Sequence, residues 1–454
     1  MNTTNSTNSM LDGSIPKQIL KFFFPVMLGT LFQQLYNTVD AIVVGQVCGK
    51  VALAAVGGTT STSLTLLINF ITGLTSGATV IVAQMYGRND QTGVKKAVNS
   101  GMLLAVVSGL IMMILGLITA GPLLRLLNVT EEDVFTLALL YMRIYFIGFI
   151  PSMIYNVGSS ILRAMGNSRT PLHCLVIACL VNIVLDILFI QIMGMGVAGA
   201  ALATITSQIV SCLLVVYLLF SVHSAYHFKI ETKYMDMNVL KNICVIGFPM
   251  GIQSVMYSVS NLFIQATVNS YGTDTMAAYT AFGKIDALYW NVSGAFGTAA
   301  LTIVGQNFGA GKLDRVKQTI RDSLMLYVIF TGILGVATYF AGSYMTLLFT
   351  SDQAVIDICM QFIHFLVPYW ITFALVEILS ASLRACGDSF FPMVVSTLFI
   401  CVFRIIWLTY YPASNIIESL YCYPISWILT SLVLSVYYYG GIWKKHLKLE
   451  KVDK

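Results

Sequence analysis

Apolar residues run through this chain in long blocks, separated by short stretches rich in Lys, Arg, Asp, Asn and Gly. A helix that crosses the hydrocarbon core of a bilayer needs roughly 20 predominantly apolar residues in succession. Twelve blocks meet that requirement, at 15–46, 52–83, 95–120, 131–158, 170–193, 195–222, 241–270, 275–308, 318–348, 354–382, 392–412 and 416–443. Several exceed the minimum, which predicts helices that tilt, kink or protrude. Pro25 inside the first is the obvious place for a bend.

Composition removes the soluble alternative. Of 454 residues, 57% are hydrophobic and only 10% charged, with a mean hydropathy of +0.81. A soluble domain carries roughly 25% charge, and dividing the chain into smaller domains would demand still more polar surface. A disordered chain, a disulfide scaffold and a soluble nucleic-acid binder are excluded by the same figures. The nine cysteines are scattered with no CxxC pair and read as small buried hydrophobes. His223 and His227 are spaced to share a helix face but lack a third ligand type, so they read as part of a solvated connector, not a metal site. The opening MNTTNSTNSMLDGSIP has no charged region leading into a short apolar core, which predicts a short disordered tail over 1–14, not a cleavable signal peptide.

Lys and Arg near span ends resist translocation, so their distribution sets orientation. With twelve spans, 20 of the 25 basic residues fall on one side, from Lys17 and Lys21 through Lys229, Lys233 and Lys241 to the basic tail at 444–454. The opposite loops hold Lys50 and Arg125 beside Glu131, Glu132 and Asp133. Both termini are therefore expected in the cytoplasm. The net charge of +5 is already used by this bias and implies no nucleic-acid partner.

The chain also repeats itself. Pro25 aligns with Pro249, Gly49 with Gly272, Gln84 and Gly87 with Gln306 and Gly309, and LRAMGNSRTP (162–171) with LRACGDSFFP (383–392), the offset falling from 224 to 221. Six spans per copy make both copies enter the membrane in the same sense. The expected fold is an all-α polytopic membrane protein whose twelve transmembrane helices form two six-helix lobes related by a pseudo-two-fold axis along the membrane normal. The lobes are expected at 15–222 and 241–443, joined by a cytoplasmic connector at 223–240.

Ionisable groups inside spans cost about 2.5–3.5 kcal/mol each on the insertion scale, so each needs a reason. The acids so placed are Asp40, Asp186, Asp286 and Glu377; the bases are Arg143, Lys284 and Arg404. Gln33, Tyr36, Asn37 and Asp40 recur at i, i+3, i+4 and i+7, one polar stripe on an apolar helix. Asn182 and Asp186 share a face in the fifth span, and Thr204 follows in the sixth. The repeat places Phe403 at the position of Asn182, Trp407 at that of Asp186 and Ile264 at that of Asp40, so only the first lobe has the acid pair. The three bases read as charge balance or as side chains reaching for an interface. Glu377 is a candidate proton site in the second lobe. Twenty-one Met and 12% aromatic residues suit an adaptable chamber for hydrophobic cargo.

The duplicated plan, with VGQVCGKVALAAVG (44–57), VAQMYGRND (82–90), LRAMGNSRTP, MGVAGAALATITSQ (195–208) and VGQNFGAGKLDRV (304–316), resembles the multidrug and toxic compound extrusion (MATE) transporters, in their DinF-like branch, from about Ile15 to Trp443. The resemblance implies a secondary active exporter in the cell membrane, moving amphipathic, often cationic organic compounds by proton or sodium antiport with alternating access. It implies that Asp40, Asn182, Asp186 and Thr204 form the ion-coupling set, and that Gln33 and Asn156 line the substrate chamber, where Tyr36 and Asn37 of the same stripe join them. The expected partners are small organic substrates, the coupling ion, H+ or Na+, and the lipid bilayer. No cofactor and no metal other than sodium is expected, and the chain is expected as a monomer. A flippase for lipid-linked saccharides shares this plan, but such proteins often carry fourteen spans and a strongly basic cavity. An enzyme would need a nucleophile with its base or a metal cluster, and no HExxH or GxSxG occurs.

Overall fold

The computed structural model describes residues 10–57, 59–126, 129, 131–220, 231–411 and 413–444. His223, His227 and the basic tail beyond Lys444 lie outside them. The described residues form helices and connecting turns, with no strand among them. We label the spans α1 (Ile15–Gly57), α2 (Thr59–Gly87), α3 (Gln91–Leu126), α4 (Glu132–Ile147 with Phe149–Ala164), α5 (Arg169–Ile192) and α6 (Gly196–Phe220). The second half supplies α7 (Met237–Ser270), α8 (Thr273–Gly309), α9 (Leu313–Leu347), α10 (Gln353–Ala385), α11 (Phe390–Tyr410) and α12 (Ile416–Tyr439). Eleven are long and apolar enough to cross a bilayer, and α4 makes the twelfth once its two pieces, bent by 49° at Gly148, are taken as one span. The expected all-helical, twelve-span plan is the one observed.

Local departures have chemical causes. The long α1 is two helices divided at Gly49, where φ is 82°, and residues 52–57, expected to open the second span, lie after that break. The bend in α4 falls at Gly148, three residues before Pro151, which has no N–H to give to the preceding turn. In α5 the helix loosens to a π turn over Ile187–Ile192, directly after Asp186. In α10 a 3₁₀ segment, Val367–Thr372, begins beside Pro368.

The duplication extends to backbone conformation. Gly49 and Gly272, Gly166 and Gly387, and Asn89 and Gly311 are equivalent under the repeat, and all six have positive φ. Side chains with a Cβ rarely tolerate that region, which explains why the turns kept glycine while the spans diverged.

Two compact units account for the described chain, one made of residues 1–27 and 248–454 and the other of 28–247. Compared with the expected division in chain order, the leading segments of α1 and α7 have exchanged. The changes of unit fall two residues after Pro25 and two before Pro249. In the first unit Phe23 stacks on Phe296 at 4.3 Å and meets Phe330 edge-on at 5.3 Å. Residues 10–14, expected as free tail, are docked: Asn307 Nδ2 donates to the Met10 carbonyl (3.2 Å), Lys312 Nζ pairs with Asp12 (3.0 Å) and Arg315 Nη1 donates to the Gly13 carbonyl (3.2 Å). The second unit repeats the device. The segment before α7 is held by Lys96–Asp236 at 2.9 Å, by Glu231 N donating to Asn99 Oδ1 at 3.3 Å, and by Asp236 N donating to Ser100 Oγ at 3.1 Å.

Within that second unit α2 and α7 approach backbone to backbone. A Cβ on Gly77 would overlap the Ile243 carbonyl oxygen, and one on Gly247 would overlap that of Leu74. Small residues let membrane helices pack at this range, where dispersion is the main attraction. Gly77→Val should therefore lower the melting temperature of the purified protein by several degrees, from an overpacking cost of about 1–3 kcal/mol. Gly283→Ala, facing open space within α8, should leave it unchanged or raised. Equal melting of both variants would contradict the close approach.

Candidate functional site

The polar stripe of α1 and the polar face of α5 meet inside the unit formed by residues 28–247. Asp40 is 8% exposed, Asn182 1% and Asp186 0%. The Asp40 and Asp186 carboxyls face each other within hydrogen-bonding reach. Two carboxylates have no proton to share unless one is supplied, so a facing pair has the chemistry to take up a proton or a cation.

Among the described residues no donor reaches most of the pair's oxygen atoms. Asp40 Oδ1, both Asp186 oxygens and both amide atoms of Asn182 are buried without a hydrogen-bond partner among the described residues. Each such group forfeits about 1–3 kcal/mol relative to a bonded one, and so dense a cluster persists in a fold only for a reason other than stability.

Phenols surround the pair. Tyr36, one turn before Asp40 on α1, and Tyr141 and Tyr145 on α4 all lie within electrostatic range of Asp40, and Tyr141 also within range of Asp186. Gln208 of α6 lies beside the Tyr145 hydroxyl. Tyr141, Tyr145 and Gln208 went unnoticed in the sequence, although the two tyrosines stand four apart in LLYMRIYF and so share a helix face.

The remaining candidates fall elsewhere. Thr204 is buried on α6, but its hydroxyl donates to the Ala200 carbonyl at 3.0 Å, and no hydrogen bond among the described residues joins it to the acids. Gln33 and Asn37 sit at exposed positions of α1, with Gln33 beside the Tyr36 hydroxyl. Asn156 on α4 is half-buried and donates to the Ser152 carbonyl one turn back, at 2.8 Å. Among the described residues no group of three or more His, Cys, Asp or Glu is arranged to hold a metal ion.

The other unit has different chemistry at the equivalent places. Ile264 is fully buried, and Trp407 stacks on Tyr411 at 4.2 Å with Phe403 5.8 Å away. Glu377 occupies the space that a Cβ on Gly297 would fill, and Arg384, whose Nη1 donates to Gln253 Oε1 at 3.4 Å, lies within electrostatic range of it. That acid has a base within electrostatic range; among the described residues the acids of the first-half site have none.

A twelve-span duplicated carrier plan with an uncompensated acid pair defines a membrane transporter, and the comparisons with known proteins identify its kind. The MatE family model matches twice, at residues 25–188 and 249–409, so the two matches start 224 residues apart and end 221 apart, the offsets of the internal repeat. The chain belongs to the MatE family of multidrug efflux transporters, whose members are transporters and not enzymes. It is 28% identical over 442 residues to "Probable multidrug resistance protein YoeA" of Bacillus subtilis, with 95% of each chain covered. It is 25% identical over 359 residues to "FAD transporter" of Shewanella oneidensis, covering 77% of this chain and 78% of that one. Among solved structures, "Crystal structure of MATE in the straight conformation" superposes with a TM-score of 0.88 at 22% identity, covering 99% of this chain and 100% of that one, which establishes the shared fold.

The unpartnered amide gives a test with a definite sign. Asn182→Leu removes two orphaned polar atoms and keeps the branching and number of side-chain heavy atoms, so the melting temperature in detergent should stay level or rise by a few degrees. A fall of several degrees would mean that the amide is bonded in the folded protein.

Proposed function

We propose that the chain is a secondary active exporter of amphipathic, often cationic organic compounds, driven by inward movement of protons or sodium ions through alternating access. The observation that supports this reading is the facing pair Asp40 and Asp186, buried without a donor or counter-ion among the described residues. In this reading Asp40 and Asp186 bind the coupling ion, Asn182 supplies an amide oxygen, and Thr204 completes the set once its hydroxyl leaves its own helix. Gln33, Tyr36, Asn37 and Asn156 contact the organic substrate. The affinity with the DinF-like branch rests on Asp40, Asn182, Asp186 and Thr204.

Two charges in one apolar site repel each other and attract cations. An ion arriving from outside neutralises the pair and removes the electrostatic hold on cationic cargo, which leaves outward. Opening to the cytoplasm releases the ion and restores the negative site. Pro25 and Pro249, lacking the N–H that a continuous helix needs, are the hinge positions in this scheme. The lobes move as two bodies in a monomer at the cell membrane, with both termini in the cytoplasm.

Proteoliposomes carrying a cationic dye decide the matter. Uphill dye movement should require an imposed proton or sodium gradient, and imposing each ion separately identifies the coupling ion. Asp40→Asn and Asp186→Asn should each abolish that movement, whereas Glu377→Gln should keep at least half of it. Loss of transport in Glu377→Gln alone would move the coupling site to the other half of the chain. If the ion is the proton, dye affinity should weaken as pH falls in the wild type and become flat in Asp40→Asn.

Orientation has its own readout. A cysteine at Lys233, in the exposed segment before α7, should resist an impermeant thiol reagent applied to intact cells. Efficient labelling from outside would reverse the topology.

A further inference from the structure

The unit formed by residues 1–27 and 248–454 buries a charge that the coupling scheme does not use. Arg404 on α11 is 3% exposed, so it does not reach for an interface as its sequence position suggested, whereas Arg143 and Lys284 are exposed. Its Nε donates to Ser426 Oγ at 3.1 Å, the one hydrogen bond that the guanidinium makes among the described residues. The two Nη groups, with their four N–H donors, have no acceptor there. Aromatic faces cover the group instead: the guanidinium carbon lies 4.1 Å from the ring centre of Tyr423 and 5.9 Å from that of Trp427.

Asp286 on α8 is the acid within electrostatic range of Arg404, yet the two form no direct ion pair. The carboxylate is held by indoles. Trp290 Nε1 donates to Oδ2 at 2.7 Å and Trp370 Nε1 to Oδ1 at 3.1 Å. Trp370 is presented by the 3₁₀ segment of α10 and stacks on Tyr289 at 4.6 Å, which fixes its donor. Trp290 is 38% exposed and meets Trp427 edge-on at 6.3 Å, so one of the two indoles that hold the carboxylate lies at the edge of the packing.

Opposite charges buried in an apolar medium attract strongly, and a purely structural pair would close into a bidentate contact. Here the acid is held back by two indole N–H groups while the guanidinium keeps its fork unused. Charges kept apart between aromatic walls match a guest that carries both signs and a ring.

We propose that Asp286 and Arg404 are the two poles of an organic-ligand subsite for aromatic zwitterions, with the ligand carboxylate on the Arg404 Nη groups, its ammonium on Asp286, and its ring against Trp290, Tyr423 and Trp427. It rests on the reading of the chain as an exporter of organic compounds and adds a substrate class to it.

Equilibrium binding tests the subsite without any gradient. Purified full-length protein is titrated calorimetrically with 3-(2-naphthyl)alanine, with its methyl ester, which is only a cation, and with its N-acetyl derivative, which is only an anion. The zwitterion should bind at least tenfold more tightly than either. Arg404→Gln should weaken the zwitterion at least tenfold and leave the ester within twofold; Asp286→Asn should weaken the zwitterion and leave the N-acetyl compound within twofold. Equal binding of zwitterion and ester, or no binding of the zwitterion at millimolar concentration, overturns the proposal on the wild-type protein alone, whatever the variants do. Loss of gradient-driven dye transport would sink the exporter reading and leave these titrations unaffected.

Discussion

Two carboxyl groups that face each other inside a membrane protein, with no base among the described residues to settle them, set the terms for the rest of this molecule. Lipid offers no water to solvate them, and the helices that bring them together cannot relax without exposing more polar surface. The surrounding structure therefore holds them apart from lipid. Asp40 comes from a long first helix, Asp186 from the last α-helical turn before a π segment, and the tyrosines of the bent fourth span close the remaining side. Stability alone would select against such an arrangement, because neutral partners of the same size would pack at lower cost.

Duplication supplied two copies of one backbone, and the copies have been put to different uses. Glycines at the turns and prolines in the leading helices are shared because backbone geometry demands them. Side chains in the interior answer to no such demand. One half faces acid against acid; the other buries Ile264, stacks Trp407 on Tyr411, and gives Glu377 an arginine for company. Packing symmetry and chemical asymmetry coexist because they are carried by different atoms.

The span plan was legible because a bilayer imposes one length on every crossing helix, and because Gly49, Gly166, Gly272 and Gly387 mark turns whose φ excludes most other residues. The acid pair was legible because Asp40, Asn182 and Asp186 are conspicuous in apolar surroundings at helical spacing. Three features were hidden. The exchange of leading segments depends on which helices pack together, a tertiary fact with no local signature. The bend at Gly148 depends on Pro151 and its neighbours acting on a helix that periodicity alone reads as continuous. The indole cradle around Asp286 joins residues 84 positions apart, a separation at which spacing carries no information.

The exchanged segments also bear on how the chain is made. Residues 28–247 form one compact unit, and its final piece, the start of α7, is translated only after six spans have been threaded into the membrane. Gly77 must therefore wait with its notch unfilled until Gly247 emerges. The leading segment of α1, synthesised early, finds the partners of its Phe23, Phe296 and Phe330, only when α8 and α9 arrive. Neither half is a self-sufficient product of the ribosome, so co-expressing the halves as separate chains cut at the connector would require each to lend the leading segment of its first helix to the other.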